Sequence, residues 1–385
     1  MHQFKKGIWR VSGGGKLTTK ILLVKGGLDG HDRGIQIVTK ALRDSGFDVI
    51  YGGLYCSPEE IAAITIQENV DVVGISTHSG NHLGIFSETI KILKEKTNTH
   101  WPIIGGGIIP ANDIPALEKM GVDKIYLPST NITEIVEFIK GLKLMKRKKE
   151  SQQKTIERIL KGEVFAAASL MSLVEQGDNN AKKIISKLPD LSPQTIVVGI
   201  TGFGGVGKST LINKLIEHFR KDRKTVGVIA CDPVSVSRGA VMGDRIRMKD
   251  HAQDEGVFIR SIVQRQNFKG VTPTTPSIIK ILGAMKKDII IVETAGAGQE
   301  NSGFKDLVKV LVWVSVPGLG DKIQMLKGGG IETANIIVVN QSDKAASYLT
   351  FQDLKEHFEN TKKICKTNSL TGEGISELVK AIKVV

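Results

Sequence analysis

Three cysteines in 385 residues are too few to staple a fold. Cys56, Cys231 and Cys365 are also odd in number and far apart, which argues against a disulfide framework and for a reducing compartment, the cytoplasm. Aromatic residues make up only 5% of the chain and no nucleic-acid motif accompanies them, so nucleic acid is not an expected partner. No apolar run approaches the length that crosses a bilayer: Ile289–Val292 is short and bounded by charges, and no membrane partner is expected. Acidic residues are missing before Asp29, while the same stretch carries Lys5, Lys6, Arg10, Lys16, Lys20 and Lys25. Gly13, Gly14 and Gly15 interrupt any amphipathic targeting helix there, so residues 1–19 read as a basic leader.

What the chain does have is positive charge, +13 overall, which favours anionic partners and above all phosphorylated small ligands. Its length suits two domains, each with its own core. From Lys20 to about Lys140, β-branched runs such as Ile21–Val24, Val49–Ile50 and Val72–Ile75 alternate with helical patterns such as Gly34–Ser45 and Pro58–Asn69. That alternation predicts βαβ units and a parallel sheet. The like-charge run Lys143–Lys149 and the polar Ser151–Gln153 mark an exposed joint. Beyond it a helical stretch, Thr155–Lys187, leads into a second strand-and-helix series beginning at Ile196–Ile200. The expected division is therefore 20–142, a linker at 143–154, and 155–385. The fold class is α/β, a flavodoxin-like doubly wound domain followed by a P-loop domain with an N-terminal helical segment.

Gly202-Phe-Gly204-Gly205-Val206-Gly207-Lys208-Ser209 matches G-x-x-x-x-G-K-S between an apolar strand and the helical run that begins at Thr210. Such a loop turns backbone N–H groups onto phosphate oxygens, the lysine supplies charge to the β- and γ-phosphates, and the serine hydroxyl can ligate Mg²⁺. The strand Ile289–Val292 ends in Glu293, an acid where a Mg²⁺-directed carboxylate is needed. A further strand, Ile336–Val339, ends in Asn340-Gln341-Ser342-Asp343, similar to the N-K-x-D guanine reader with Gln341 in place of lysine. Asp343 would accept from guanine N1–H and N2–H₂, so GTP is preferred to ATP as the substrate. Thr367–Gly374, with Asn368-Ser369 in place of the usual Ser-Ala, resembles the last guanine-side loop of G proteins.

Together with Cys231-Asp232-Pro233, Gly243-Asp244-Arg245-Ile246-Arg247-Met248, Val257–Ser261, Glu293-Thr294 and Gly298-Gln299, these residues resemble the MeaB-type (ArgK-like) G-protein chaperones of cobalamin enzymes, from about Thr155 onward. The resemblance implies that Asp232, Asp244 and Glu293 hold Mg²⁺ with Ser209, that Arg247 approaches the nucleotide, and that Asn340, Asp343 and Ser369 serve the base. Between Asp232 and Asp244 the glycine pair of the family is reduced to Gly239. The helical dimerisation arm of stand-alone members does not follow the last guanine loop.

Asp29-Gly30-His31-Asp32-Arg33-Gly34 fits D-x-H-x-x-G, after the first strand and before a helix. An imidazole that ligates a metal through one nitrogen needs its other N–H held, and Asp29 is placed to hold it; Lys25 can pair with that carboxylate in turn. Ser76–His82 and Gly105-Gly106-Gly107 occupy second and third motif positions, followed by Leu127-Pro128-Ser129-Thr130. The set resembles the cobalamin-binding domain of acyl-CoA mutases from about Lys20 to Lys140, with His78 in place of the usual leucine and Ser129 in place of the usual glycine. The resemblance implies His31 on cobalt and a nucleotide tail in a slot lined by small residues, among them Ser76, Gly80, Gly105, Gly106 and Ser129.

In this order the two modules resemble the N-terminal half of fused isobutyryl-CoA mutases. Too few residues remain for a (β/α)₈ substrate barrel. The expectation is a small, adenosylcobalamin-binding mutase subunit fused to its GTPase chaperone, with a separate large subunit, a cobalamin adenosyltransferase and a second copy of the chain as partners. The alternatives are a non-enzymatic corrinoid carrier or sensor and the corrinoid subunit of a methyltransferase.

Overall fold

The computed structural model describes residues 18–78, 80–142, 150–233, 239–264, 271–294, 302–318 and 330–385. The basic leader and the charged run at 143–149 lie outside the described residues, as do the side chain of Asp244 and the pair Gly298-Gln299.

Two parallel sheets carry the chain, as expected for an α/β protein. The first is built from β1 (Lys20–Gly26), β2 (Asp48–Cys56), β3 (Val72–Thr77), β4 (Ile103–Gly107) and β5 (Lys124–Tyr126). Their order, β5-β4-β3-β1-β2, is the flavodoxin-like order, with helices on both faces. The alternation seen in the sequence is what forces this: each buried β-branched strand needs a helix to cover it and return the chain in parallel. Helix α1 (Arg33–Asp44) follows the D-x-H-x-x-G loop, and α2 (Pro58–Glu68) starts on a capping box in which Ser57 and Glu60 satisfy each other's backbone N–H groups.

The second sheet is built from β6 (Ile196–Gly202), β7 (Val226–Pro233), β9 (Val257–Gln264), β10 (Ile289–Glu293), β11 (Val310–Ser315), β12 (Ile336–Val339) and β13 (Lys363–Lys366). Their order is β13-β12-β11-β6-β10-β7-β9. The stretch read as one helical run from Thr155 to Lys187 is three helices, α3 (Gln152–Leu160), α4 (Val164–Glu175) and α5 (Asn179–Lys187). Gly162 and Gly177, at φ of 81° and 72°, break it. The first of these helices begins within the segment taken as linker, because Ser151 caps it through the Lys154 N–H.

One strand was not foreseen. β8 (Val241–Met242) follows β7 in the chain, yet it pairs in parallel with β2, Val49 against Val241 and Ile50 against Met242. Val49 N donates to Ala240 O at 2.8 Å, and Gly239 N donates to Arg43 O at 2.9 Å. Gly239 is required there, since a Cβ would come within 1.8 Å of Phe47 O. The nucleotide half of the chain thus supplies the sixth strand of the other half's sheet. All three cysteines are buried and free.

Candidate cofactor and nucleotide sites

β1, β3 and β4 lie side by side, and their C-terminal ends bring the first three sequence motifs together. On the loop after β1, Asp29 is buried and its Oδ1 accepts from the His31 backbone N–H at 3.0 Å and lies 3.0 Å from His31 Nδ1. A carboxylate against Nδ1 keeps the proton there and leaves Nε2 as the basic nitrogen. The His31 side chain is 75% exposed, so that nitrogen is open to a ligand. Lys25, also buried, pairs with Asp29 and donates to Ser76 Oγ at 3.1 Å. Burial pushes the Asp29 carboxyl up, but hydrogen bonds from Lys25 and His31 outweigh it and hold its pKa below the ordinary carboxylate value.

These groups fit a metal held by one imidazole: the second ring nitrogen is fixed by a charge-assisted partner and the first faces outward. His78, read from sequence only as a substitution, stacks on His31 with ring centroids 4.5 Å apart and planes at 26°. The glycines of the third motif differ in role. A Cβ on Gly105 would come within 2.4 Å of Ile125 Cδ1, and one on Gly107 within 1.8 Å of Thr77 O, so both are demanded by the protein's own packing. Gly106 and Gly80 keep open space, the first meeting only Tyr126 O at 3.5 Å and the second nothing within 4 Å, which suits a slot for a ligand. Asp32 precedes α1, Arg33 and Gly34 are its exposed first residues, and Ser129 is exposed in the turn after β5.

The second site begins where β6 ends. Gly202, at φ 147°, has no room for a side chain, because a Cβ would lie 2.2 Å from Val314 O. Gly205 and Gly207 are left-handed at φ of 80° and 90°, Gly204 is open, and buried Val206 anchors the loop before α6 (Lys208–Lys221), whose first turn includes Thr210. Lys208 folds over the loop, donating to Gly202 O at 3.2 Å and Phe203 O at 3.0 Å. Ser209 Oγ donates to Glu293 Oε1 at 3.0 Å. Asp232 and Glu293 end the adjacent strands β7 and β10, both buried. Arg247 is exposed and lines a cleft of about 440 Å³ with Asp232, Gly243 and Ile246.

Asn340, at the end of β12, is a brace. Its Nδ2 donates to Val206 O at 2.9 Å, and its Oδ1 accepts from Ser369 N at 3.1 Å and Ser369 Oγ at 2.7 Å, tying the phosphate loop to the last guanine-side loop. Ser369 is thereby buried on Asn340. Asp343 is exposed and takes Asn368 Nδ2 at 2.9 Å, a contact that sequence did not foresee. Gln341, where the family has lysine, is left-handed at φ 57°. Thr294 Oγ1 donates to Thr201 Oγ1 at 3.0 Å beneath the site, another pairing without a sequence signature.

Residues 167–385, over half of the chain, match the family model described as methylmalonyl-CoA mutase-associated GTPase MeaB, and residues 19–137 match the B12-binding domain. A protein of Pyrococcus horikoshii assigned as a GTPase is 43% identical over 59% of this chain and 75% of its own length. A fused isobutyryl-CoA mutase of Geobacillus kaustophilus is 29% identical over 91% of this chain and 33% of its own length, so the chain spans about a third of that relative. The 2-hydroxyisobutanoyl-CoA mutase small subunit of Aquincola tertiaricarbonis is 45% identical over 32% of this chain and 90% of its own length. No helix among the described residues is long and apolar enough to cross a membrane. With a cobalamin-binding domain ahead of a GTP-binding one, the chain belongs to the MeaB family of methylmalonyl-CoA mutase-associated GTPases.

Proposed function

We propose that this chain is the adenosylcobalamin-binding small subunit of an acyl-CoA mutase joined to its GTPase chaperone, acting on a separate large subunit that holds the acyl-CoA. The observation that carries this reading is the Asp29–His31 pair, with Nε2 turned outward, in the same chain as a phosphate loop whose Ser209 meets Glu293. In it residues 20–142 form the cobalamin domain and 155–385 the GTPase, and the protein works in the cytoplasm. A cobalamin adenosyltransferase and a second copy of the chain are further partners of this reading.

His31 would hold cobalt, with Asp29 and Lys25 fixing the imidazole. The cofactor, when bound, supplies a cobalt–carbon bond that breaks homolytically. The chain's own part is to bind, to orient the imidazole and to leave room beside Gly80 and Gly106. On the other side, Ser209, Asp232, Glu293 and Asp244 would hold Mg²⁺, an ion that ordinarily takes one or two carboxylates and shares phosphate oxygens. Lys208 must leave the loop carbonyls to meet the phosphates, Asn340 keeps the two guanine-side loops in register, and Asp343 reads the base. GTP hydrolysis would gate loading or repair of the cofactor on the large subunit.

Gln341 favours a second reading, a corrinoid carrier with weak nucleotide binding, because the lysine that would lie along the base is missing. One experiment decides between them: GTP turnover and adenosylcobalamin absorbance titrations on the purified chain, each compared with His31→Ala. Turnover together with a His31-dependent spectral change is expected. Corrinoid uptake without turnover would favour the carrier, and uptake of neither ligand would sink both.

A further inference from the structure

β2 is irregular at its C-terminal end, beside the His31 loop. Its register against β1 jumps from Val24–Gly53 to Gly26–Cys56, so three steps on β2 match two on β1 and a bulge falls at Leu54 and Tyr55. Tyr55 is left-handed at φ 56°, a conformation that an aromatic side chain adopts only when its surroundings impose it. Bulges of this kind re-aim a side chain. Here the re-aimed phenol rests on Gly30, where an ideal Cβ would come within 2.5 Å of Tyr55 Oη. Gly30 immediately precedes His31.

The strain is held from the other half of the chain. Lys249 Nζ donates to Leu54 O at 2.6 Å and to Tyr55 O at 3.0 Å, and lies 3.5 Å from Glu60 Oε2. Lys249 belongs to the helical segment Asp244–His251, whose Ile246 and Arg247 line the cleft with Asp232. Ile246 lies beside the bulge, its Cγ2 3.5 Å from where a Cβ would stand on Gly53, the residue before it.

We propose that Tyr55 is a positioning residue for the His31 loop and that Lys249 holds it there, so that occupancy of the cleft beside Asp232 is felt by the cobalt ligand through the β2 bulge. The inference rests on His31 as the ligand. Since coupling free energy is reciprocal, corrinoid should alter nucleotide affinity by the same factor.

The test uses the full chain, adenosylcobalamin titrated by absorbance, and the electron paramagnetic resonance of bound cob(II)alamin, whose nitrogen splitting reports an axial imidazole. Each is measured without nucleotide and with Mg²⁺ and a non-hydrolysable GTP analogue. In the unsubstituted protein the analogue should shift corrinoid affinity about fivefold or more. Lys249→Met should remove that shift while GTP turnover without corrinoid persists. Tyr55→Gly, which accepts φ 56° without strain, should weaken corrinoid about tenfold and lose the nitrogen splitting, whereas Tyr55→Phe keeps both. Thermal unfolding of each variant separates misfolding from lost positioning. If either Lys249→Met or Tyr55→Gly behaves like the unsubstituted chain, or if the unsubstituted chain shows no shift, the relay is wrong and the proposed function stands. If the unsubstituted chain binds corrinoid without an imidazole signature, both fall.

Discussion

Arg245 donates to Glu68 at 3.0 Å with neither side chain more than 2% exposed, although the two lie 177 residues apart. Glu68 ends α2 of the cobalamin half; Arg245 follows β8 in the nucleotide half. Glu68 also accepts from Ser261 N at 3.0 Å and Ser261 Oγ at 2.9 Å, and Arg245 also donates to Ile259 O at 2.7 Å and to Gln67. Arg260 extends the network, reaching Glu68 O and Ser172 Oγ. Two buried charges in such a seam are tolerable only because each is matched on several sides.

Removing one partner should therefore cost far more than removing both. Arg245→Met leaves the Glu68 carboxylate buried without its counter-charge and is expected to destabilise by about 3–5 kcal/mol. Adding Glu68→Gln should recover part of that loss, a coupling that a double-mutant cycle measures. Urea unfolding is the measurement. Because β8 and this pair fasten the halves, the unsubstituted chain should unfold in one transition, and Arg245→Met should split it in two. Additive single effects with an unsplit transition would count against the seam.

The seam also shows what could be seen in the sequence and what could not. The parallel sheets were visible because buried β-branched runs such as Val72–Ile75 and Ile289–Val292 leave no other arrangement once helices separate them. The phosphate loop and the Asp29–His31 loop were visible because their chemistry depends on residues a few positions apart. β8 was not, since a two-residue strand has no periodicity and its Val241 pairs with Val49, 192 residues earlier in the chain. For the same reason the stack of His78 on His31 and the grip of Asn368 on Asp343 escaped: each joins loops from different strand ends, and neither residue type announces it. In the third motif, Gly105 and Gly107 have Ile125 and Thr77 in the space a side chain would need, a packing demand that the motif alone does not show.

Asp29 should matter to cobalamin through charge rather than contact. Asp29→Asn can still accept a hydrogen bond, but it no longer stabilises a proton on Nδ1, and it leaves buried Lys25 without its counter-ion. Substitution of such an outer partner typically costs 10- to 100-fold in metal affinity. Absorbance titration should show corrinoid affinity reduced by roughly that factor. Asp29→Asn binding as tightly as the unsubstituted chain would mean that His31 is not the ligand or that its orientation is set elsewhere.

At the other site, Lys208→Ala should lower GTP turnover by at least about a hundredfold, the scale for losing one group that stabilises transferred charge. Corrinoid binding without nucleotide should persist, because Lys208 stands on the phosphate loop, donating to the loop carbonyls Gly202 O and Phe203 O, and not on the His31 loop. Ser209→Ala should instead raise the Mg²⁺ concentration needed for half-maximal turnover, since its hydroxyl sits against Glu293. Loss of both ligands in Lys208→Ala would show that the sites are not separable.

Lys287 gives the fold a dependence on alkaline pH. Burial, then the charge of Arg220, pushes its pKa down to about 8, against the favourable fields of Asp254 and Asp288. Its Nζ donates to Gly256 O at 3.1 Å. In the unfolded chain the lysine titrates near 10.4. Below pH 8 it is charged in both states and the folded protein bears the whole desolvation cost. Between about 8 and 10.4 the unfolded chain holds more protons, so this group makes stability rise with pH, and above that range the cost is gone. Lys287→Met should remove the cost at neutral pH while losing the bond to Gly256, a net stabilisation of about 1–3 kcal/mol. Urea midpoints from pH 7 to 10 for both proteins test it: the unsubstituted chain should gain on the variant as pH rises, and parallel curves would show that Lys287 is no more buried from charge than an ordinary surface lysine.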